Sequence, residues 1–346
     1  MRHTTVRLLV AAVGGLMIVG AAGLPPAGAV SDVGFLASAS AQGFRSTYVV
    51  PGQFVVEQIW DYGGPIAQSQ LDPSGGAAYG SLPFPGEAAI VAPGLIANLA
   101  GLPSPPGTYP FYASAQYPST PSSDVSDPSG NYSLAAKADG VSASAAALSR
   151  GGTKDASIAS SESRSAIENT ADAVVARAET ASKGLSFGAG VLTIGAAVST
   201  SESKLVPGQP VERSTKLTLT GVQVAGTPVG MGPGGIDDKA ANDALKAAGI
   251  SIRIARQAQS DSGATADVLE VTVRHPVPGG GGAEGTIVYR FGGAATRIAT
   301  GTAAAEKGSP SAADPSAAPT GTAAHPARPR SIAARSSRLA GVAREI

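Results

Sequence analysis

Leu192, Ile194, Ala196 and Val198 fall on one parity of the chain, and Thr193, Gly195, Ala197 and Ser199 on the other. A period of two marks a half-buried β-strand, whose successive side chains point to opposite faces. Leu217 and Leu219 alternate with Thr218 and Thr220 in the same way. Two further alternating runs, Tyr132 to Ala138 and Val141 to Ser149, flank Asp139-Gly140. That dipeptide predicts a two-residue hairpin turn, since both central positions of such a turn need positive φ.

The clearest unit runs from Ile236 to Phe291. Asp237 or Asp238 is placed to cap a short helix at about 237 to 248, with Gly249 to end it. Ala241, Ala244, Leu245 and Ala248 line one face of that helix. Three alternating strands follow, with inward positions Ile250, Ile252 and Ile254, then Leu269, Val271 and Val273, then Ile287, Tyr289 and Phe291. Arg253, Glu270, Thr272, Arg274 and Arg290 take the opposite parity, which predicts an antiparallel sheet with one wet face and one face under the helix. The loop Pro276 to Gly285, with Gly279 to Gly282 in its middle, joins the last two strands. Ala88 to Ala100 reads as a short apolar helix interrupted at Pro93.

From Ala135 to Ser203 the strands use Ala and Ser where most sheets use Val, Ile or Phe. Burying Ala gains far less than burying Leu, because the gain follows apolar area. A sheet faced with small residues is therefore expected to take bulky partners. The N-terminal region is their source: all but three of the aromatic residues lie from Phe35 to Tyr132. The alternative is that an apolar ligand, such as a lipid, fills part of the groove.

Composition divides the chain further. Arg2, His3 and Arg7 precede an apolar run from Leu8 to Leu24, and Ala27-Gly28-Ala29 follows. This pattern predicts an export signal over 1–29 and a mature chain from Val30. The run is near the lower length for a membrane span and is interrupted by glycines, so no stable membrane anchor is expected after cleavage. Residues 31–300 read as one β-rich extracellular domain, with an aromatic and proline-rich part over 31–132 and an Ala/Ser-rich strand part over 133–300. Residues 301–346 are Ala, Pro, Ser, Thr and Gly with scattered Arg, a composition expected to stay disordered. The formal net charge is zero and only 14% of residues are charged, which argues against nucleic acid as a partner. With no cysteine and three histidines the chain predicts neither disulfides nor a metal site, and no cofactor.

Motif matches fail on context. Gly184-Leu185-Ser186-Phe187-Gly188 fits the nucleophile-elbow pattern, with Asp237 and His275 following, but a strand comes after it where a helix is required. Gly230-Met231-Gly232-Pro233-Gly234-Gly235 fits a dinucleotide fingerprint without the parallel βαβ unit or a suitable acid. Ser201-Glu202-Ser203-Lys204 ends a strand where the penicillin-binding motif opens a helix. No catalytic residue is assigned.

The N-terminal aromatics are the better place to look for binding, although core or loop packing is the commoner role of such residues. Phe54, Trp60 and Tyr62 form one group and Tyr109, Phe111, Tyr112 and Tyr117 a second, and aromatics stack on sugars or line apolar pockets. The candidate ligand or packing surface is Phe54, Trp60, Tyr62, Tyr109, Phe111 and Tyr112 with Leu192, Ile194 and Val198. The segments GVLTIGAAVSTSES (Gly190 to Ser203) and LTGVQVAG (Leu219 to Gly226), with the helix-strand pair Ala240 to Ala255, resemble exported proteins of unknown function from high-GC Gram-positive (actinobacterial) bacteria. The resemblance implies an envelope or extracellular location and no activity. The expectation is thus a mainly β (α+β) fold of long antiparallel strands with a short helix on the sheet. Its expected role is that of a secreted or cell-envelope structural or interaction protein without catalytic activity, partnered by cell-wall polymer or envelope lipid. The alternative is an extracellular binding protein for an apolar ligand such as an envelope lipid.

Overall fold

The computed structural model describes residues 34–52, 58–82, 111–151, 156–232, 235–260, 262–276 and 284–300. The expected export signal, the segment 88–100, most of the glycine-rich loop and the tail over 301–346 lie outside them. The chain runs through β1 (Phe35–Val49), β2 (Gln58–Asp72), β3 (Gly75–Leu82), β4 (Phe111–Gln116), β5 (Ser122–Ser126), β6 (Tyr132–Ala138) and β7 (Ser142–Arg150). Next come β8 (Ala156–Asn169), β9 (Val174–Phe187), β10 (Leu192–Leu205) and β11 (Glu212–Thr220). Four two-residue strands follow: β12 (Gln223–Val224), β13 (Thr227–Pro228), β14 (Met231–Gly232) and β15 (Gly235–Ile236). Helix α1 (Lys239–Ala247) leads into β16 (Ile250–Ala255), β17 (Gly263–Thr265), β18 (Val268–Pro276) and β19 (Glu284–Thr300).

The long strands form two antiparallel sheets. The first has the order β16-β18-β19-β1-β2-β3-β4, with β17 also on β19. The second has the order β13-β12-β10-β9-β8-β7-β6-β5, with β11 also on β10. The mainly β class, with one short helix among the described residues, is as the alternation predicts. The register of the last sheet also follows it: Ile252 pairs with Val271 and Val271 with Tyr289, on one face. Asp238 caps α1 by accepting from the Ala241 amide at 2.8 Å, and Gly249 ends it at φ +68.

Three expectations are corrected. The connection of β6 to β7 is a hairpin, but it spans Asp139 to Val141 and uses no positive φ. The Asp139 carboxylate holds it instead, accepting from the amides of Val141 (2.8 Å) and Ser142 (2.5 Å). Helix α1 does not cover the inner face of β16, β18 and β19 alone. Phe187, Leu192 and Ile194 of the second sheet join the same core cluster and cover much of the rest. The Ala/Ser strands, lastly, face mainly other small residues, with Phe35 an N-terminal aromatic fully buried in the same cluster.

Small residues face small residues. On the first sheet Ala37, Ala39, Ala41, Ala67, Ala78, Ala113 and Ala115 are buried, and on the second Ala136, Ala143, Ala145, Ala147, Ala176 and Ala178 join them in one cluster. Backbones meet here. A Cβ built on Gly80 would lie 2.9 Å from the Ala146 carbonyl oxygen, and one on Gly76 would lie 2.6 Å from that of Ser142. Sheets normally stack about 10 Å apart, and side chains of this size close that distance.

A transverse row then interrupts both sheets. On the first it passes through Pro65, Gly43 and Gly292; on the second through Ala159, Gly184 and Gly195. Pairing resumes without a slip: Gln42 opposes Gly293 and Phe44 opposes Phe291. The alternation nevertheless changes phase. In β10 the buried positions run Leu192 and Ile194, then Ala197, Ser199, Ser201 and Ser203. Gly184 and Gly292 sit at φ +62 and +101, a backbone setting that suits glycine. The phase shift divides the core into an alanine half and a leucine half.

Serines cross between the sheets near this row. Ser163 Oγ donates to the Pro65 carbonyl at 2.8 Å and Ser182 Oγ to that of Gly43 at 3.1 Å. Ser69 and Ser165 hydroxyls meet at 2.8 Å, and Thr296 Oγ1 lies 2.8 Å from Ser201 Oγ and 2.9 Å from Ser203 Oγ. The interrupted ladder exposes carbonyls that must find donors inside the protein, and the facing sheet supplies them.

Two stability predictions follow from this interface. Gly80→Ala, which meets backbone, should lower stability by about 1–3 kcal/mol, whereas Gly230→Ala, with nothing within 4 Å, should stay within about 0.5 kcal/mol. Urea unfolding of both variants checks this. Ser163→Ala should lose about 1–2 kcal/mol by stranding the Pro65 carbonyl. Thr180→Val should be neutral or stabilising, because Thr180 Oγ1 is buried with no hydrogen-bond partner among the described residues. Equal losses in these two variants would contradict the assignment.

Candidate functional site

The nine residues of the expected surface do not form one surface. Phe54 and Tyr109 lie outside the described residues, as do the side chains of Trp60 and Phe111. Tyr62 is on the inner face of β2, opposite Ser46, and its ring lies 5.6 Å from that of Phe44. Phe44 packs on the cluster that holds Leu192 (0% exposed) and Ile194 (1% exposed). Those three expected residues thus belong to one neighbourhood. It is filled: Phe187 and Phe291 are fully buried there, 6.0 Å apart between ring centres. Val198 faces the other way, because the phase change lies between it and Ile194. Tyr112 is on the outer face of the first sheet, 49% exposed.

Residues of the motif matches occupy structural places. Ser186 is paired within β9, opposite Thr193 and Ser157, and β10 follows it. Ser201 is buried in β10, donating to the Ala264 carbonyl at 2.9 Å. His275 Nδ1 lies 2.8 Å from the Pro276 carbonyl, and its ring packs edge-on to Tyr48. Among the described residues no three His, Asp or Glu side chains are grouped to hold a metal ion. Several clefts open on the protein surface. One of about 280 Å³ opens beside α1 and β16, lined in part by Lys246 and Arg274, and one of about 470 Å³ opens by Arg213 and Gln259.

The outer faces differ in character. That of the second sheet carries alternating charges: Arg177 Nε donates to Glu202 at 2.7 Å, and Arg164 bridges to Glu162 at 2.6 Å. The leucine half of the first sheet is charged too. Glu270, with its side chain 7% exposed, accepts from Arg253 Nε at 2.7 Å and from Arg290 Nε at 3.0 Å. Arg45 pairs with Asp61, and that hydrogen bond raises the arginine above its ordinary value.

Beyond the transverse row the outer face of β1 to β4 changes. Its cross-strand rows read Ser38–Gln70–Ala77–Gln116, then Ser40–Gln68–Tyr79–Ser114, then Gln42–Ile66–Ser81–Tyr112. None of these twelve residues is charged. Tyr79 and Tyr112 stack, with ring centres 5.9 Å apart and planes at 27°. Tyr112 was legible in the sequence as an aromatic among prolines, but Tyr79 and the glutamines were not singled out. The signal for them is the alternation in IAQSQL and AAYGSL, which puts Gln68, Gln70 and Tyr79 outward.

No protein-family model and no curated protein matches the chain. Among solved structures, Pseudomonas aeruginosa OccK9 (OpdG) aligns over 79% of this chain and 100% of its own, at 9% identity and a TM-score of 0.15, too low to carry an argument about fold. No helix among the described residues is long and apolar enough to cross a membrane.

Burial pushes the Tyr62 phenol up from its ordinary value, because the low-dielectric surroundings disfavour the phenolate. The folded state therefore resists ionisation that the unfolded chain undergoes at about pH 10. This contribution is intact below that pH and is lost as pH rises from there through the folded value. Tyr62→Phe should lose less stability between about pH 9 and 11 than the parent, measured by denaturant unfolding at each pH. An identical loss in both proteins would show that Tyr62 does not titrate with unfolding.

Proposed function

We propose that the chain is a secreted or cell-envelope structural and interaction protein without catalytic activity. The observation that carries this reading is the filled space between the sheets. In the alanine half glycine backbones approach the carbonyls of the facing sheet, as at Gly76 and Gly80. In the leucine half Phe187, Leu192, Leu269 and Phe291 are fully buried against one another. A lipid-binding protein needs a continuous apolar cavity, and Leu192 and Ile194, two of the residues expected to line one, are fully buried in a packed cluster. The export reading rests on residues 1–29 of the sequence, and the envelope location on the resemblance to exported actinobacterial proteins.

Native mass spectrometry of protein purified from its own host, followed by solvent extraction, tests the choice between filled core and ligand groove. The expected result is a ligand-free mass, with the exported chain beginning at Val30 by N-terminal sequencing. A stoichiometric, reproducible lipid would overturn the reading in favour of an apolar-ligand carrier. Ser186→Ala should leave any hydrolytic activity of the purified protein unchanged; its loss would assign an enzyme.

A further inference from the structure

We infer that the uncharged outer face of β1 to β4 in the alanine half is a platform for a neutral polysaccharide. The inference rests on the interaction-protein reading and names the partner class. Its starting point is the contrast between faces. Solvated sheet faces elsewhere on this protein carry paired arginines and carboxylates, as at Arg177–Glu202 and Arg253–Glu270. Over three successive rows this face replaces them with amides, hydroxyls and two tyrosines.

Each element of the face matches one property of a sugar chain. A pyranose has C–H faces that pack on aromatic rings, and Tyr79 with Tyr112 offers a stacked pair whose outer member is half exposed. Each sugar hydroxyl both donates and accepts, and so does a glutamine amide. Gln68 is directly opposite Tyr79 across the strands, and Gln70 and Gln116 flank Ala77 in the next row. Among the described residues these three amides have no side-chain hydrogen-bond partner in the chain. Apart from Ile66, the positions between them are Ala and Ser, so glutamine and tyrosine stand above a low floor. Neighbouring strands lie about 4.8 Å apart and same-face residues about 7 Å apart along a strand, which spaces the contacts regularly for an extended polymer. The chemistry argues against three other partner classes. Nucleic acid and anionic lipid call for clustered Lys and Arg, and an apolar partner calls for an apolar patch.

The test uses the full exported chain and four probes: insoluble cellulose, chitin, starch and mannan. Retention on at least one is expected, and it should be unchanged between about 0.05 and 0.5 M salt, because no charge takes part. Tyr112→Ala should weaken retention about tenfold, Gln68→Ala with Gln70→Ala should weaken it severalfold, and Tyr112→Phe should bind within about twofold of the parent. These side chains sit outside the core, so unchanged unfolding midpoints are expected and separate binding from folding. Retention on none of the probes, equal retention of Tyr112→Ala, or loss of retention at high salt would each overturn the platform. A Tyr112-dependent dimer by sedimentation would overturn it in favour of a second copy of the chain. Failure of the underlying reading looks different: release of reducing sugar from a bound probe would overturn the non-catalytic assignment while leaving the platform in place.

Discussion

The distance between the two sheets is the constraint on which the rest depends. Serine has a short reach. Its hydroxyl touches the facing sheet's carbonyls at Pro65 and Gly43 only because alanine and glycine let the backbones approach. Widening the gap by one larger side chain would separate these groups and leave buried carbonyls without donors, a loss of about 1–3 kcal/mol each. The serines, the alanines around them and the glycines at Gly43, Gly76 and Gly80 are therefore one requirement expressed at many positions.

The two halves of the core rest on different physics. In the leucine half, burial of large side chains such as Phe187 and Phe291 supplies most of the stabilisation. In the alanine half the apolar area per residue is small, and many close van der Waals contacts together with inter-sheet hydrogen bonds take its place. The transverse glycine row is where one regime gives way to the other. By shifting the phase of alternation without shifting the register, it lets a single strand such as β10 present leucine to one half and serine to the other.

The strands were legible because alternation survives even in a low-diversity composition: β16, β18 and β19 carry the inward residues read from the sequence, and α1 lies between its cap and its glycine. The phase change was not legible. Gly195, Ala196 and Ala197 are all small, so nothing in their hydropathy distinguishes inward from outward, and Val198 looked like a continuation of Leu192 and Ile194. The pairing of the Ala/Ser sheet was misread for a related reason. Area arguments call for a large partner opposite a small residue, whereas two small faces also satisfy close packing by moving together. The candidate site suffered most, since Tyr62 and Tyr112 share an aromatic character but occupy opposite faces of one sheet.

The place of β1 in the first sheet has a kinetic meaning. It pairs on one side with β2, its neighbour in sequence, and on the other with β19, so that Phe35 opposes Thr300. The whole second sheet is strung between those two partners along the chain. Closing so long a loop carries an entropic penalty before any contact rewards it, and sandwiches dominated by such distant pairings fold slowly. The central strand of the first sheet stays half paired until the last strand arrives, which makes completion of the sandwich a late, cooperative event.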